Sequence, residues 1–132
     1  MLEESLIIYK LMTTEDKPVF KGTYYEIDGA INQPKPFQKP YPPLWVCGGG
    51  EKVTLKLLAR HGDYGNWDVD VEGFKHKSKI LQEHCKNENR DYSEIGRTLH
   101  TNVLIGKDKD DLDNKITKLA EYTNIPKEYY YD

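Results

Sequence analysis

The sequence predicts an α/β fold with parallel strands, and three observations carry that prediction. Short apolar runs alternate with amphipathic helical stretches from residue 44 onward. The run Leu44-Trp45-Val46-Cys47 has no polar member, which suits a strand buried on both faces. Helical patterns over residues 51–61 and 71–89 separate this run from later strands, as right-handed crossovers between parallel strands require. The alternation fits a doubly wound sheet and a piece of a barrel equally.

The elements follow in order. Residues 2–13, LEESLIIYKLMT, read as a helix with a wide apolar face and with Glu3 and Glu4 at its positive end. Residues 18–27, PVFKGTYYEI, read as a β-hairpin turning at Lys21-Gly22-Thr23. Residues 28–43 form a loop holding five of the seven prolines, which remove amide donors and keep the chain extended. After the strand at 44–47, residues 51–61 form a helix with Val53, Leu57 and Leu58 inward and Lys52, Lys56 and Arg60 on one face. Asp63 to Asp68 is a second short strand, residues 71–89 a longer helix, Arg97 to Ile105 a third strand and residues 109–122 a last helix.

Composition bounds the function. The chain has 132 residues, enough for one domain with a core. Its 15 aromatic residues (Trp 2, Tyr 10, Phe 3) argue against disorder. Lys+Arg is 19 against Asp+Glu 22, a net charge of −3, so neither nucleic acid nor a membrane is an expected partner. Apolar runs are too short for a membrane-spanning helix. Met1 is followed by Leu-Glu-Glu-Ser, without a basic start, so no secretory signal is read and the expected compartment is the cytoplasm. Cys47 and Cys85 lack metal-ligand spacing and are expected as reduced thiols.

Two segments could carry chemistry. In LWVCGGGE, a strand runs into Gly48-Gly49-Gly50 and then a helix start. Glycines allow close backbone approach, and unpaired first-turn amides favour an anion, most often a phosphate. Lys52 adds charge. The same spacing serves a strand-to-helix turn that needs only positive φ. The segment is neither GxGxxG nor a Walker loop. The second segment is His61-Gly62-Asp63-Tyr64-Gly65-Asn66-Trp67-Asp68. Asn66 and Trp67 fall at the carboxyl end of a parallel strand, where ligands bind, although a tryptophan there also closes a core. His76 and His84 lie eight apart on the long helix and read as exposed, and no HExxH pair or Ser-His-Asp arrangement occurs. No metal site and no catalytic residue is assigned. Asp108 to Asp113 reads as an exposed helix start, and Pro40 to Pro43 matches PxxP, a weak and common pattern.

Taken together, Phe20, Gly22, Tyr24 and Tyr25, Pro34-Lys35-Pro36 with Gln38, Pro40, Pro42 and Pro43, Trp45-Val46, Gly48 to Glu51, Leu55, Leu57, Ala59-Arg60 and Asp63-Tyr64 form one ordered set over about 48 residues. This set resembles the luciferase-like monooxygenase family, including its oxidoreductases that use flavin mononucleotide (FMN) or the deazaflavin coenzyme F420. The resemblance covers nearly the whole chain, the last third loosely. It implies a partial TIM (β/α)8 barrel, roughly a C-terminal half, with a β-hairpin insertion near the N-terminus. The domain reading is one incomplete barrel domain over 1–132, with hairpin and proline loop at 18–43 and βα units at 44–132. By carry-over, Gly48, Gly49 and Gly50 hold the cofactor phosphate, Glu51 and Lys52 are their neighbours, and Asn66 and Trp67 lie at the pocket rim. Cys47 departs from a glycine common at or beside this turn.

A barrel of this type takes roughly 250 residues, so the expectation is a C-terminal segment without the half that supplies most catalytic groups. Open strand edges and an uncovered sheet face need cover, which predicts a homo-oligomer (dimer or higher) or pairing with a missing N-terminal half. The expected function is a fragment of a flavin- or deazaflavin-dependent oxidoreductase or monooxygenase acting on a small molecule. The alternative is a non-catalytic truncated homologue serving as an oligomerising scaffold or binding module. A proline-loop adaptor is a third reading.

Overall fold

A computed structural model describes residues 1–131 and divides into two compact units, Met1–His100 and the remainder from Thr101. In the first unit, α1 (Leu2–Thr14) carries Glu3 and Glu4 in its first turn. Strands β1 (Val19–Lys21) and β2 (Glu26–Asp28) pair antiparallel. Their connection is Gly22–Tyr25, longer than the three-residue turn expected. Glu4 explains the difference: its carboxylate accepts the amides of Thr23, Tyr24 and Tyr25 at 2.9, 2.9 and 3.0 Å. Those amides are thereby withdrawn from strand pairing.

The proline loop is fastened to α1. Lys35 Nζ donates to the Met12 carbonyl at 2.9 Å and also to that of Glu15. Tyr9 Oη donates to the Pro42 carbonyl at 3.1 Å. The two Lys35 contacts satisfy carbonyls that the end of α1 leaves open.

Strands β3 (Trp45–Cys47), β4 (Tyr64–Asp68) and β5 (Gly96–His100) form a parallel sheet in that order. Helices α2 (Thr54–His61) and α3 (Val71–Asn87) are the crossovers. Val46 and Trp67 on one sheet face meet Leu55, Leu57, Leu58, Ala59, Leu81 and Cys85 from the helices, together with Ile95, in one core. Gly65 lets α2 approach: a Cβ there would lie 2.5 Å from Leu58 Cδ2. Arg90 closes the end of α2 by donating Nη1 to the carbonyls of Ala59 and Gly62 at 3.1 and 2.6 Å.

Three expectations need correction. Trp45 is 49% exposed while Val46 is 4% exposed, so β3 is buried on one face only, because both crossover helices cover the same side. Val53 points outward at 62% exposed, because α2 starts only at Thr54. The third strand stops at His100, not Ile105. β4 ends at Asp68 opposite His100, so the chain beyond has no ladder to join.

The second unit contains α4 (Lys109–Thr123), capped by Asp108, whose carboxylate accepts the Asp111 amide at 2.8 Å. The acidic run is thus a helix start. Asp113 accepts Lys127 Nζ at 2.6 Å, fastening the final 3-10 turn, Lys127–Tyr130. Among the described residues, no helix is long and apolar enough to cross a membrane.

Candidate functional site

The site is the connection from β3 to α2. Gly48 has φ +112°, which a side chain rarely adopts. Its amide donates to the Asn66 carbonyl at 3.3 Å, so the turn begins against the carboxyl end of β4. The Leu55 amide then reaches back to the Gly50 carbonyl at 2.9 Å. That five-residue closure is wider than a helical turn. Inside it, the amides of Glu51, Lys52 and Val53 have no acceptor among the described residues. Unspent donors at the positive end of a helix favour an anion.

The carbonyl side of the turn is occupied. Lys77 Nζ donates to the Gly49 carbonyl at 2.9 Å, and His84 Nε2 meets the Glu51 carbonyl at 2.8 Å. Glu51's carboxylate lies 3.1 Å from His76 Nε2 and 3.6 Å from Lys77 Nζ. All three partners project from α3.

The predicted residues therefore separate into groups. Gly48, Gly49, Gly50 and Glu51 lie together in the turn, and Lys52 follows on its last lap. Lys52's side chain lines an open groove of about 380 Å³ with Leu2, Val53 and Lys56. Asn66 sits beside Cys47 in the sheet register, and its Oδ1 accepts the Thr98 hydroxyl at 2.8 Å. Trp67 points to the opposite face. It is 1% exposed, with its ring edge-on to Phe74 at 5.2 Å, and its Nε1 finds no partner among the described residues. Asp63 serves structure by accepting the Leu44 amide at 2.7 Å. Cys47 is exposed, whereas burial pushes the Cys85 thiol up.

Sequence reasoning missed Lys77 and set His76 and His84 aside as exposed. His76 does remain open to solvent, but both histidines engage Glu51. The available signal was three nitrogen-bearing side chains on a helix that must pack back beside the glycine turn. Among the described residues, no cluster suited to a metal ion occurs.

Close neighbours also call for glycine at two positions of the turn. A Cβ on Gly49 would meet Lys77 Nζ at 2.9 Å, and one on Gly50 would meet Thr54 Oγ1 at 2.8 Å. Either side chain would have to displace the neighbour already there.

The luciferase-like monooxygenase family model matches residues 1–130. No curated protein gives a significant match. Among solved structures, the chain is similar to an F420-dependent secondary alcohol dehydrogenase in complex with an F420-acetone adduct, at 25% identity and TM-score 0.63, over 75% of this chain and 30% of that one. It is also similar to the coenzyme F420 dependent tetrahydromethanopterin reductase from Methanopyrus kandleri, at 19% identity and TM-score 0.71, over 96% of this chain and 40% of that one. A long-chain alkane monooxygenase matches at 21% identity and TM-score 0.71, over 91% of this chain and 32% of that one. The last two likenesses concern the fold alone. The chain spans 30%, 40% and 32% of these three structures' lengths. The glycine turn, the parallel βα units and a family match across residues 1–130 converge: the chain belongs to the luciferase-like monooxygenase family.

Proposed function

We propose that this chain is part of a flavin- or deazaflavin-dependent oxidoreductase, and that its Gly48–Lys52 turn binds the cofactor phosphate. The observation that carries the reading is the widened turn, with its amides unspent and its carbonyls already occupied. The resemblance to an F420-dependent dehydrogenase at 25% identity supports a cofactor of this class, FMN or coenzyme F420. Such a cofactor supplies hydride or oxygen chemistry through its ring. This chain's part is to anchor and orient it: Gly49, Gly50, Glu51 and Lys52 offer amides, while Asn66 borders the turn. The three parallel strands are one arc of a (β/α)8 barrel and the β1–β2 hairpin is an insertion in it; the last residue of the domain expected over 1–132 lies outside the described residues.

A second reading is favoured by the bare sheet face. Trp45 and Tyr64 stack there at 4.6 Å, 49% and 37% exposed. On this reading the chain is a scaffold that associates through that face, with itself or with further barrel elements, and performs no reaction alone.

The test is a titration of the folded chain with FMN and with coenzyme F420, followed by cofactor fluorescence, alongside light scattering. Saturable binding lost in Gly49→Phe supports the phosphate anchor. Absence of cofactor binding by a cooperatively folded sample refutes it, and an oligomer under those conditions supports the scaffold.

A further inference from the structure

We propose that Lys77 and His84 are positioning residues that aim the amides of Gly50 and Lys52 at the bound phosphate. The inference rests on the phosphate reading of the glycine turn. Cis peptides occur only before Pro34 and Pro40 among the described residues, so the Gly49–Gly50 and Glu51–Lys52 peptides are trans. In a planar trans peptide, the carbonyl of one residue and the amide of the next point in opposite directions. Lys77 holds the Gly49 carbonyl at 2.9 Å and His84 holds that of Glu51 at 2.8 Å. Each contact therefore turns the following amide, of Gly50 and of Lys52, away from α3. Two peptide planes are set by one helix and their donors face the same side.

The same helix manages charge. Glu51 is a carboxylate inside an anion site, and a like charge there would repel a phosphate. His76 and Lys77 draw it toward α3, at 3.1 and 3.6 Å. The anion side of the turn keeps its amides and loses its competing charge. Lys77's side chain is only 14% exposed, so it is held in place, unlike a freely swinging surface lysine.

The experiment is an amide NMR titration of the full chain with inorganic phosphate, which asks nothing of the cofactor ring. In the wild type, the Gly50 and Lys52 resonances should move saturably. Lys77→Met and His84→Leu should each weaken phosphate binding by roughly fivefold to tenfold. Lys77→Arg and His84→Gln restore a donor and should recover most of the affinity, which a general loss of stability would not allow. Urea unfolding of every variant identifies any that misfold, and the two sites test the idea independently. Undiminished affinity in folded Lys77→Met and His84→Leu would overturn the positioning role and leave the phosphate site standing. Unmoved Gly50 and Lys52 amides in the wild type would remove the phosphate site, and this inference with it.

Discussion

Replacing Trp67 with alanine separates a core residue from a ligand-pocket residue. The side chain is 1% exposed and lies edge-on to Phe74 at 5.2 Å. Truncating a buried tryptophan costs about 3–5 kcal/mol through lost transfer energy and the cavity left behind. Here Nε1 is buried without a partner among the described residues, and removing an unsatisfied donor returns about 1 kcal/mol or more. The net loss should fall toward the lower end, about 3 kcal/mol, a large share of the roughly 5–15 kcal/mol available to a domain. With a urea slope of about 1–3 kcal/mol per molar, the midpoint drops by about 1–3 M. Far-UV circular dichroism through a urea series measures it. Trp67→Phe keeps a ring against Phe74 and removes the stranded N–H, so its cost should stay below about 1.5 kcal/mol. A Trp67→Ala midpoint indistinguishable from wild type would refute the core placement. Weakened FMN or F420 binding at unchanged stability would instead put Trp67 against the ligand.

Gly65→Ala forces a methyl to within 2.5 Å of the fully buried Leu58 and should destabilise by about 1–3 kcal/mol by overpacking, read in the same urea series; a neutral result would mean α2 does not sit that close. Arg90→Met should lose about 1.5–3 kcal/mol as the carbonyls of Ala59 and Gly62 lose a charged donor, and faster amide exchange in α3 than in α2 would contradict that. Arg60 holds the carboxyls of Glu3 and Glu88 below the usual range, chiefly through hydrogen bonds. A depressed folded-state value stabilises fully above the unfolded pKa of about 4.3 and is lost as pH falls through the folded value. Thermal midpoints should therefore fall as the medium is acidified below about pH 4, less steeply in Glu88→Gln and at high salt; identical acid slopes in the two proteins would exclude the ion pair as a contributor.

Local patterns sufficed for much of the architecture. The periodicity of residues 2–13, the apolar run at 44–47 and the glycines that follow identified α1, β3 and the candidate turn, because each depends on neighbours a few residues away. Asp108 was legible as a helix start for the same reason. What lay beyond reach depended on distant partners. Glu4 reshapes the hairpin from 19–21 residues away, and Lys77 and His84 grip the glycine turn from 28 and 33 residues away. The third strand's end at His100 is set by where β4 stops, a limit no propensity in Thr101 to Ile105 encodes. Trp67 shows the division most sharply. Alternation along β4 put Asn66 and Trp67 on opposite faces whatever the fold, but only the placement of α2 and α3 decided which face became the core. Sequence alone determined the order of elements and the place of the glycine turn, through short-range sterics and periodicity. Tertiary structure decided which turn groups stay free, because a carbonyl's occupation depends on which helix packs against it.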